Sequence, residues 1–227
     1  MLKTILITGA ANGLGKTLAL KLAQDYRLIL WDLDAEKLKR LAADLKADYQ
    51  VVDLSDLEQI SLALNELSQN RIRVEVLINV AGIWCEGPLE TNSPLQIQKT
   101  LTINTLAPMY LCQSLLPEMK KQQKGQIINV MSIGALQAKS NRSVYYASKW
   151  GLNGFTKCLA AELAKSGVTV HGIYPGTMNT GFYQVAGSQK NPQQDLDPSL
   201  VADKIVDLVD DPPFFNTEIV MRSLNEY

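Results

Sequence analysis

Short, almost uninterrupted apolar runs alternate along this chain with longer stretches of helical period. Ile5-Leu6-Ile7, Leu28 to Trp31, a short run ending at Val51-Val52, Val74 to Ile78, Gln126 to Met131, Val168 to Tyr174 and Glu218 to Met221 read as seven strands. Between them, Leu14, Leu18 and Leu22 recur every four residues and mark one helix face, as do Leu38, Leu41 and Leu45, then Ile60, Leu64 and Leu67. Pro94 to Met119 is helical in pattern, with Pro108 suggesting a kink or break. Tyr145 to Ala164 is a strong helix with Leu152, Phe155, Leu159 and Leu163 on one side, and Leu200 to Val209 is the last. Strands that are apolar throughout, rather than alternating, are strands buried on both faces. With helices between them, the expected fold class is α/β: a doubly wound, mostly parallel seven-stranded sheet of Rossmann type. A chain of 227 residues can bury roughly 70% of its unfolded surface, enough for one full core. No linker, repeat or low-complexity tract interrupts it, so residues 1–227 are expected to form a single domain. Residues 177–197 are polar, carry Gly, Pro and Asn, have no period and read as a loop.

Charge and composition exclude several functions. Lys plus Arg is 22 against 23 Asp plus Glu, a net charge of −1, so no footprint for nucleic acid is present. Lys120, Lys121 and Lys124 read as a solvated helix end. Cys85, Cys112 and Cys158 are odd in number and widely spaced, which fits neither a disulfide framework nor a zinc site. The single histidine, His171, lies in a run that reads as a buried strand, and there is no Gly-x-Ser-x-Gly elbow. Neither a His- or Cys-ligated metal nor a Ser-His-Asp hydrolase is expected. The N-terminal apolar run is broken by Gly9 and Asn12, unlike a secretory signal, and no apolar stretch is long enough to span a bilayer. A cytoplasmic protein without a membrane partner is the expectation.

Thr8-Gly9-Ala10-Ala11-Asn12-Gly13-Leu14-Gly15 joins the first strand to the first helix. Glycines there allow a tight turn and close approach of a pyrophosphate, and the helix N-terminus supplies N–H donors and partial positive charge. The spacing is Gly-x3-Gly-x-Gly rather than Gly-x-Gly-x-x-Gly. Asp32 closes the second strand 17 residues after Gly15, where an acid can bond adenosine ribose hydroxyls. A carboxylate there repels a 2′-phosphate, and neither Asn12 nor Leu33 is cationic, so NAD(H) is expected over NADP(H). Asp34 reads as the cap of the second helix, and Asp53 and Ser55 compete to cap the third.

Tyr145 and Lys149 are four apart and share a helix face. A phenol near pKa 10 is a poor acid or base at pH 7. A neighbouring ammonium favours the phenolate and lets the tyrosine exchange a proton with an alcohol oxygen. Tyr146 has no lysine four residues on.

Together these residues resemble the short-chain dehydrogenase/reductase family from Thr8 to Thr180. The glycine turn matches its cofactor motif. Asn79-Val80-Ala81-Gly82 is similar to its Asn-Asn-Ala-Gly segment, Ser132 lies 13 residues before Tyr145, and Pro175-Gly176-Thr177-Met178-Asn179-Thr180 resembles its Pro-Gly-x-x-x-Thr turn. The resemblance implies an oxidoreductase moving a hydride between NAD(H) and a small-molecule carbonyl or secondary alcohol. It implies Tyr145 as acid/base, Lys149 as the group that lowers its pKa and holds the nicotinamide ribose, and Ser132 as the substrate-orienting hydroxyl. Asn104 would hold a water in a proton relay. Gly9, Asn12, Gly13, Leu14 and Gly15 would line the pyrophosphate and adenosine. Asp53 and Leu54 would flank the adenine, with Asn79, Ala81 and Gly82 following the ribose. Pro175, Met178 and Thr180 would meet the carboxamide end. A homodimer or homotetramer through residues 95–120 and 145–165 is also implied.

Val80 departs from the family's second Asn, the tail Met221–Tyr227 lacks a Gly-Gly ending, and the chain is somewhat short for the family. These departures leave open the substrate class and subunit contacts. Ile83, Trp84, Ile133, Leu136, Phe182, Tyr183 and Val185 are expected near a mostly apolar substrate, with Lys139 and Arg142 available to an anionic group. From another class, a non-catalytic NAD(H)-binding redox sensor is the alternative. Such a protein is expected to have lost Tyr145 or Lys149, and both are present.

Overall fold

The computed structural model describes residues 2–182, 195–211 and 216–223. Among them seven strands form one sheet: β1 Thr4–Thr8, β2 Arg27–Asp32, β3 Asp48–Val51, β4 Val76–Asn79, β5 Gly125–Val130, β6 Val168–Pro175 and β7 Glu218–Met221. Their order is β3-β2-β1-β4-β5-β6-β7. Every pairing is parallel, so the expected mostly parallel sheet is parallel throughout. Among the described residues seven α-helices connect the strands: α1 Gly13–Leu22, α2 Ala35–Leu45, α3 Leu57–Gln69, α4 Pro94–Leu101, α5 Ala107–Gln122, α6 Ser143–Glu162 and α7 Pro198–Asp210.

The apolar strand runs follow from two covered faces. Ile5 and Ile7 of β1 pack in one layer with Leu18 of α1, Leu38 of α2 and Ile205 of α7. Leu6, between them, faces the other layer with Ile60 of α3, Leu111 of α5 and Leu159 of α6. Successive strand side chains point to opposite faces, so both must be apolar. After β3 at one edge, the chain returns to lay β4 beside β1. The winding reverses there, and the carboxyl ends of the strands frame a crevice.

The kink expected at Pro108 is a π-helical turn, Thr102–Leu106, between α4 and α5. Pro108 has no N–H to donate to the carbonyl of Asn104, so the α ladder is interrupted there. Asp34 caps α2, accepting from Lys37 N at 3.2 Å. Neither expected candidate caps α3. Asp56 does so, accepting from Glu58 N and Gln59 N, while Asp53 folds back onto Ser55. Of the 177–197 loop, residues 183–194 lie outside the described residues, as do 224–227 of the tail. The described ends of the loop are joined by a bridge between Met178 and Leu196.

His171 is fully buried in β6. Its Nδ1 accepts from Thr217 N at 3.2 Å, which assigns the ring proton to Nε2, 3.0 Å from Thr169 Oγ1. Desolvation pushes its pKa from 6.5 down to about 4. The unfolded chain therefore binds a proton that the fold refuses in this window. The stabilisation is fully present above pH 6.5 and is lost as pH falls toward 4, by about 3 kcal/mol. We expect His171→Gln to flatten this part of the acid limb in urea unfolding. A slope equal to wild type between those pH values would contradict it.

Candidate active site

A cleft of about 600 Å³ opens at the carboxyl ends of the strands. Its floor is the turn after β1. Gly9 sits at φ +69°, and a Cβ there would lie 2.8 Å from Ala81 Cα. A Cβ on Gly15 would lie 2.0 Å from the Gly9 carbonyl oxygen. Without a Cβ at either position, the turn can fold onto itself and onto the segment following β4. Thr8 Oγ1 fastens that segment by accepting from Val80 N and Ala81 N at 3.2 and 3.3 Å. Helix α1 begins with Asn12 as an extended N-cap whose side chain makes no capping bond. Its first-turn N–H groups thus remain available to an anion.

Asp32 forms the rim beside the turn. Its two oxygens accept from Ala11 N and Asp34 N, each at 2.9 Å. Each oxygen keeps a lone pair for a ribose hydroxyl. Lys37 also lines this end, but its ammonium is paired with Asp34 Oδ2 at 2.7 Å. The three charged groups sum to one negative charge.

Helix α6 places Tyr145 and Lys149 at the opposite end of the same cleft. Lys149 is 3% exposed, and its Nζ donates to Val130 O at 3.1 Å. That ammonium lies 6.0 Å from the Tyr145 ring centroid. Desolvation pushes its pKa down from 10.5 to about 8. Ser132 lies two residues beyond the end of β5. Its Oγ accepts from Gly134 N at 3.1 Å, which uses a lone pair and leaves the O–H to be donated.

Gly9, Asn12, Gly13, Leu14, Asp32, Ala81, Gly82, Ser132, Tyr145, Lys149, Pro175, Met178 and Thr180 all line this one cleft. Gly15, Asp53, Leu54, Asn79 and Asn104 do not. Gly15 is packed beneath the turn. Asp53 accepts from Ser55 N and Oγ at 2.8 and 2.7 Å, and Leu54 is buried against Trp31 and Ile60. Asn79 Nδ2 donates to Asn129 Oδ1 at 2.8 Å, and Asn129 donates to Thr156 Oγ1 at 2.9 Å, tying β4 and β5 to α6. Asn104, in the π turn, accepts from Ile83 N at 2.8 Å and donates to Ile83 O and Ser148 Oγ, each at 3.0 Å.

Of the expected substrate contacts, Ile83, Trp84 and Phe182 line the cleft, whereas Ile133 and Leu136 do not. Tyr183 and Val185 lie outside the described residues. Arg142 and Lys139 are absent from the lining, and Arg142 pairs with Glu86 at 3.3 Å. Lys37, Glu86 and Gln96 join the lining without having been singled out in the sequence. No motif or period marks them; each arrives from a helix or connecting segment whose path only the fold defines. Among the described residues, no group of three or more His, Cys, Asp or Glu could hold a metal. No helix among them is long and apolar enough to cross a membrane.

The family model described as short chain dehydrogenase matches residues 3–191. A 3-oxoacyl-(acyl-carrier-protein) reductase of Bos taurus is 34% identical over 181 residues, 78% of this chain and 76% of its own. Among solved structures, a short-chain dehydrogenase from Sphingobium yanoikuyae in complex with NADPH is similar at a TM-score of 0.87 and 26% identity, covering 97% of this chain and 87% of that one. A 4-hydroxyisoleucine dehydrogenase complexed with NADH matches at 0.87 and 26%, covering 97% of each chain.

Proposed function

This chain belongs to the short-chain dehydrogenase/reductase family, and on that footing we propose that it transfers a hydride between NAD(H) and a carbonyl or secondary alcohol. The observation that carries this reading is Lys149. A buried ammonium is costly, and this one faces the cleft beside Tyr145 with Val130 O as its protein partner. Ribose hydroxyls of a bound dinucleotide would complete its hydrogen bonding.

The residues present fit such a cofactor. The uncapped N–H groups of α1 would meet the pyrophosphate, Asp32 the adenosine ribose, and Met178 and Thr180 the carboxamide. When bound, the nicotinamide supplies or accepts the hydride. Ser132 donates to the substrate oxygen and holds it. Tyr145 gives that oxygen a proton in reduction and takes one in oxidation. The Lys149 ammonium stabilises the phenolate left behind.

Gly82 leaves room for proton resupply. A Cβ on it would lie 3.3 Å from Asn104 Oδ1 and 3.6 Å from Lys149 Nζ. A water in that gap would bond both groups, because Asn104 Oδ1 retains one lone pair. Asn104 thereby acts as the anchor of the relay.

NAD(H) is the preferred cofactor on this reading, since an Asp32 carboxylate bonded to the adenosine ribose would repel a 2′-phosphate while Lys37 is paired with Asp34. Kinetics with both cofactors and a ketone panel test it. The expected result is a higher kcat/KM for NADH than for NADPH. Asp32→Ala should shrink that ratio by about 10–100-fold, the worth of a charged hydrogen bond. A wild-type preference for NADPH would overturn the assignment.

A further inference from the structure

The substrate end of the cleft is built around three aromatic rings. The Trp84 centroid lies 4.4 Å from that of Tyr145, and Phe182 lies 6.4 and 6.3 Å from the two. Ile83, Trp84 and Phe182 line the cleft beside Tyr145, so a ligand there meets apolar and aromatic side chains. Cys85, Val144 and Tyr146 back this cluster.

Trp84 is fixed by charge as well as by packing. Its Nε1 donates to Glu86 Oε2 at 3.0 Å, and the Arg142 guanidinium lies over the indole at 5.3 Å. Arg142 Nε donates to the other Glu86 oxygen at 3.3 Å. The carboxylate is therefore held at both oxygens, one by the indole and one by the guanidinium. Glu86 lines the cleft, but Arg142 does not. Of the pair, the negative member is thus the one that lines the ligand space.

We infer that Glu86 is a specificity-determining residue, which makes this site select uncharged substrates with an aromatic or flat apolar group and reject those carrying an anionic tail. The inference rests on the oxidoreductase reading and names the substrate class for the same site. Among the described residues, Lys149 is the one basic side chain lining this end, and the proposed mechanism commits it to the cofactor ribose and Tyr145. Arg142, which the sequence leaves available to an anionic group, is engaged by Glu86 and Trp84. An anionic tail beside Glu86 would face an unfavourable charge, and among the described residues no uncommitted cation lines this end to offset it. Arg142, paired at 3.3 Å, offsets part of the Glu86 charge without cancelling it at the cleft side, and the remaining repulsion at this half-exposed site is worth up to about tenfold in binding.

The probes are 4-acetylbenzamide and 4-acetylbenzoate, which share the ketone, ring and shape and differ in charge. Dissociation constants are measured by ligand-observed NMR on the NAD-loaded protein, and kcat/KM is measured in parallel with NADH. The amide should bind about tenfold more tightly than the carboxylate and be reduced with a correspondingly higher kcat/KM. Glu86→Gln, whose amide oxygen can still accept from Trp84, should erase most of that ratio. Arg142→Gln, which unmasks the carboxylate, should widen it. Equal or tighter binding of the carboxylate, or a ratio unmoved by both substitutions, overturns the inference. If the binding ratio behaves as expected and neither ketone is reduced, the charge selection stands and the catalytic reading fails.

Discussion

Tyr145→Phe is expected to lower kcat/KM by about a thousandfold while leaving NADH binding within a few-fold of wild type. The substitution deletes one oxygen and keeps the ring, so the packing against Trp84 and Phe182 is retained. What is lost is the proton donor to the substrate oxygen. A positioned general acid contributes about a hundredfold to ten-thousandfold, and no other group in the lining replaces it. Ser132 has a hydroxyl at the same end, but an aliphatic alcohol is a far weaker acid than a phenol of pKa about 10. Tyr146, next in sequence, lies outside the lining. The measurement is steady-state reduction of a ketone, with NADH affinity determined separately by fluorescence. Retention of a tenth or more of wild-type turnover would remove Tyr145 from the proton path.

Gly15→Ala is expected to damage fold and cofactor site together. The added methyl would sit 2.0 Å from Gly9 O, 2.7 Å from Gly9 C and 3.1 Å from Ala10 Cα. All three are backbone atoms, so no side chain can swing aside. Relief requires α1 to move away from the turn, which widens the phosphate cradle and loosens Leu14 and Leu18 from the core. Overpacking of this kind costs about 3 kcal/mol or more. For a chain of this size that lowers Tm by roughly 6–12 °C. NADH affinity should fall by at least about a hundredfold, since the N–H groups of the first turn lose their common focus. Thermal unfolding with and without NADH checks both. A variant with wild-type Tm and wild-type NADH stabilisation would contradict the packing argument.

Most of the fold is legible in the sequence because a parallel sheet covered on both faces must write its strands as apolar runs. Leu6 between Ile5 and Ile7 is the clearest instance: three consecutive apolar residues serve two different cores. The alternation also bears on Asn79. It has the strand parity of Leu77, which faces the layer of α3, α5 and α6, and its amide bonds Asn129 rather than lining the cleft. The cap of α3 was less legible, since Asp53, Ser55 and Asp56 all offer acceptors within four residues. The choice of Asp56 depends on how the chain leaves β3, which no local pattern records.

In the site, legibility follows position on the scaffold. Thr8, Asp32 and Ser132 sit at or just beyond strand ends, and parallel strands gather their carboxyl ends at one edge. Finding those ends in the sequence therefore finds the residues. Lys37 on α2, Gln96 on α4 and Glu86 between elements reach the cleft by the path of a helix or connecting segment. The same holds for the pairing of Arg142 with Glu86 across 56 residues. Arg142, which the sequence left available to an anion or to solvent, is thus committed to Glu86.

The most direct test of the central claim follows the hydride. Wild-type protein is incubated with a neutral aryl ketone and NADH carrying deuterium at one transferable ring position, then with NADH labelled at the other. Mass spectrometry of the product alcohol reads the label. The account predicts deuterium on the carbinol carbon from one labelled form and not the other, as a fixed cofactor pose in the cleft requires. Saturable NADH binding with no label reaching any of a broad panel of ketones would contradict it and leave a protein that binds the dinucleotide without chemistry.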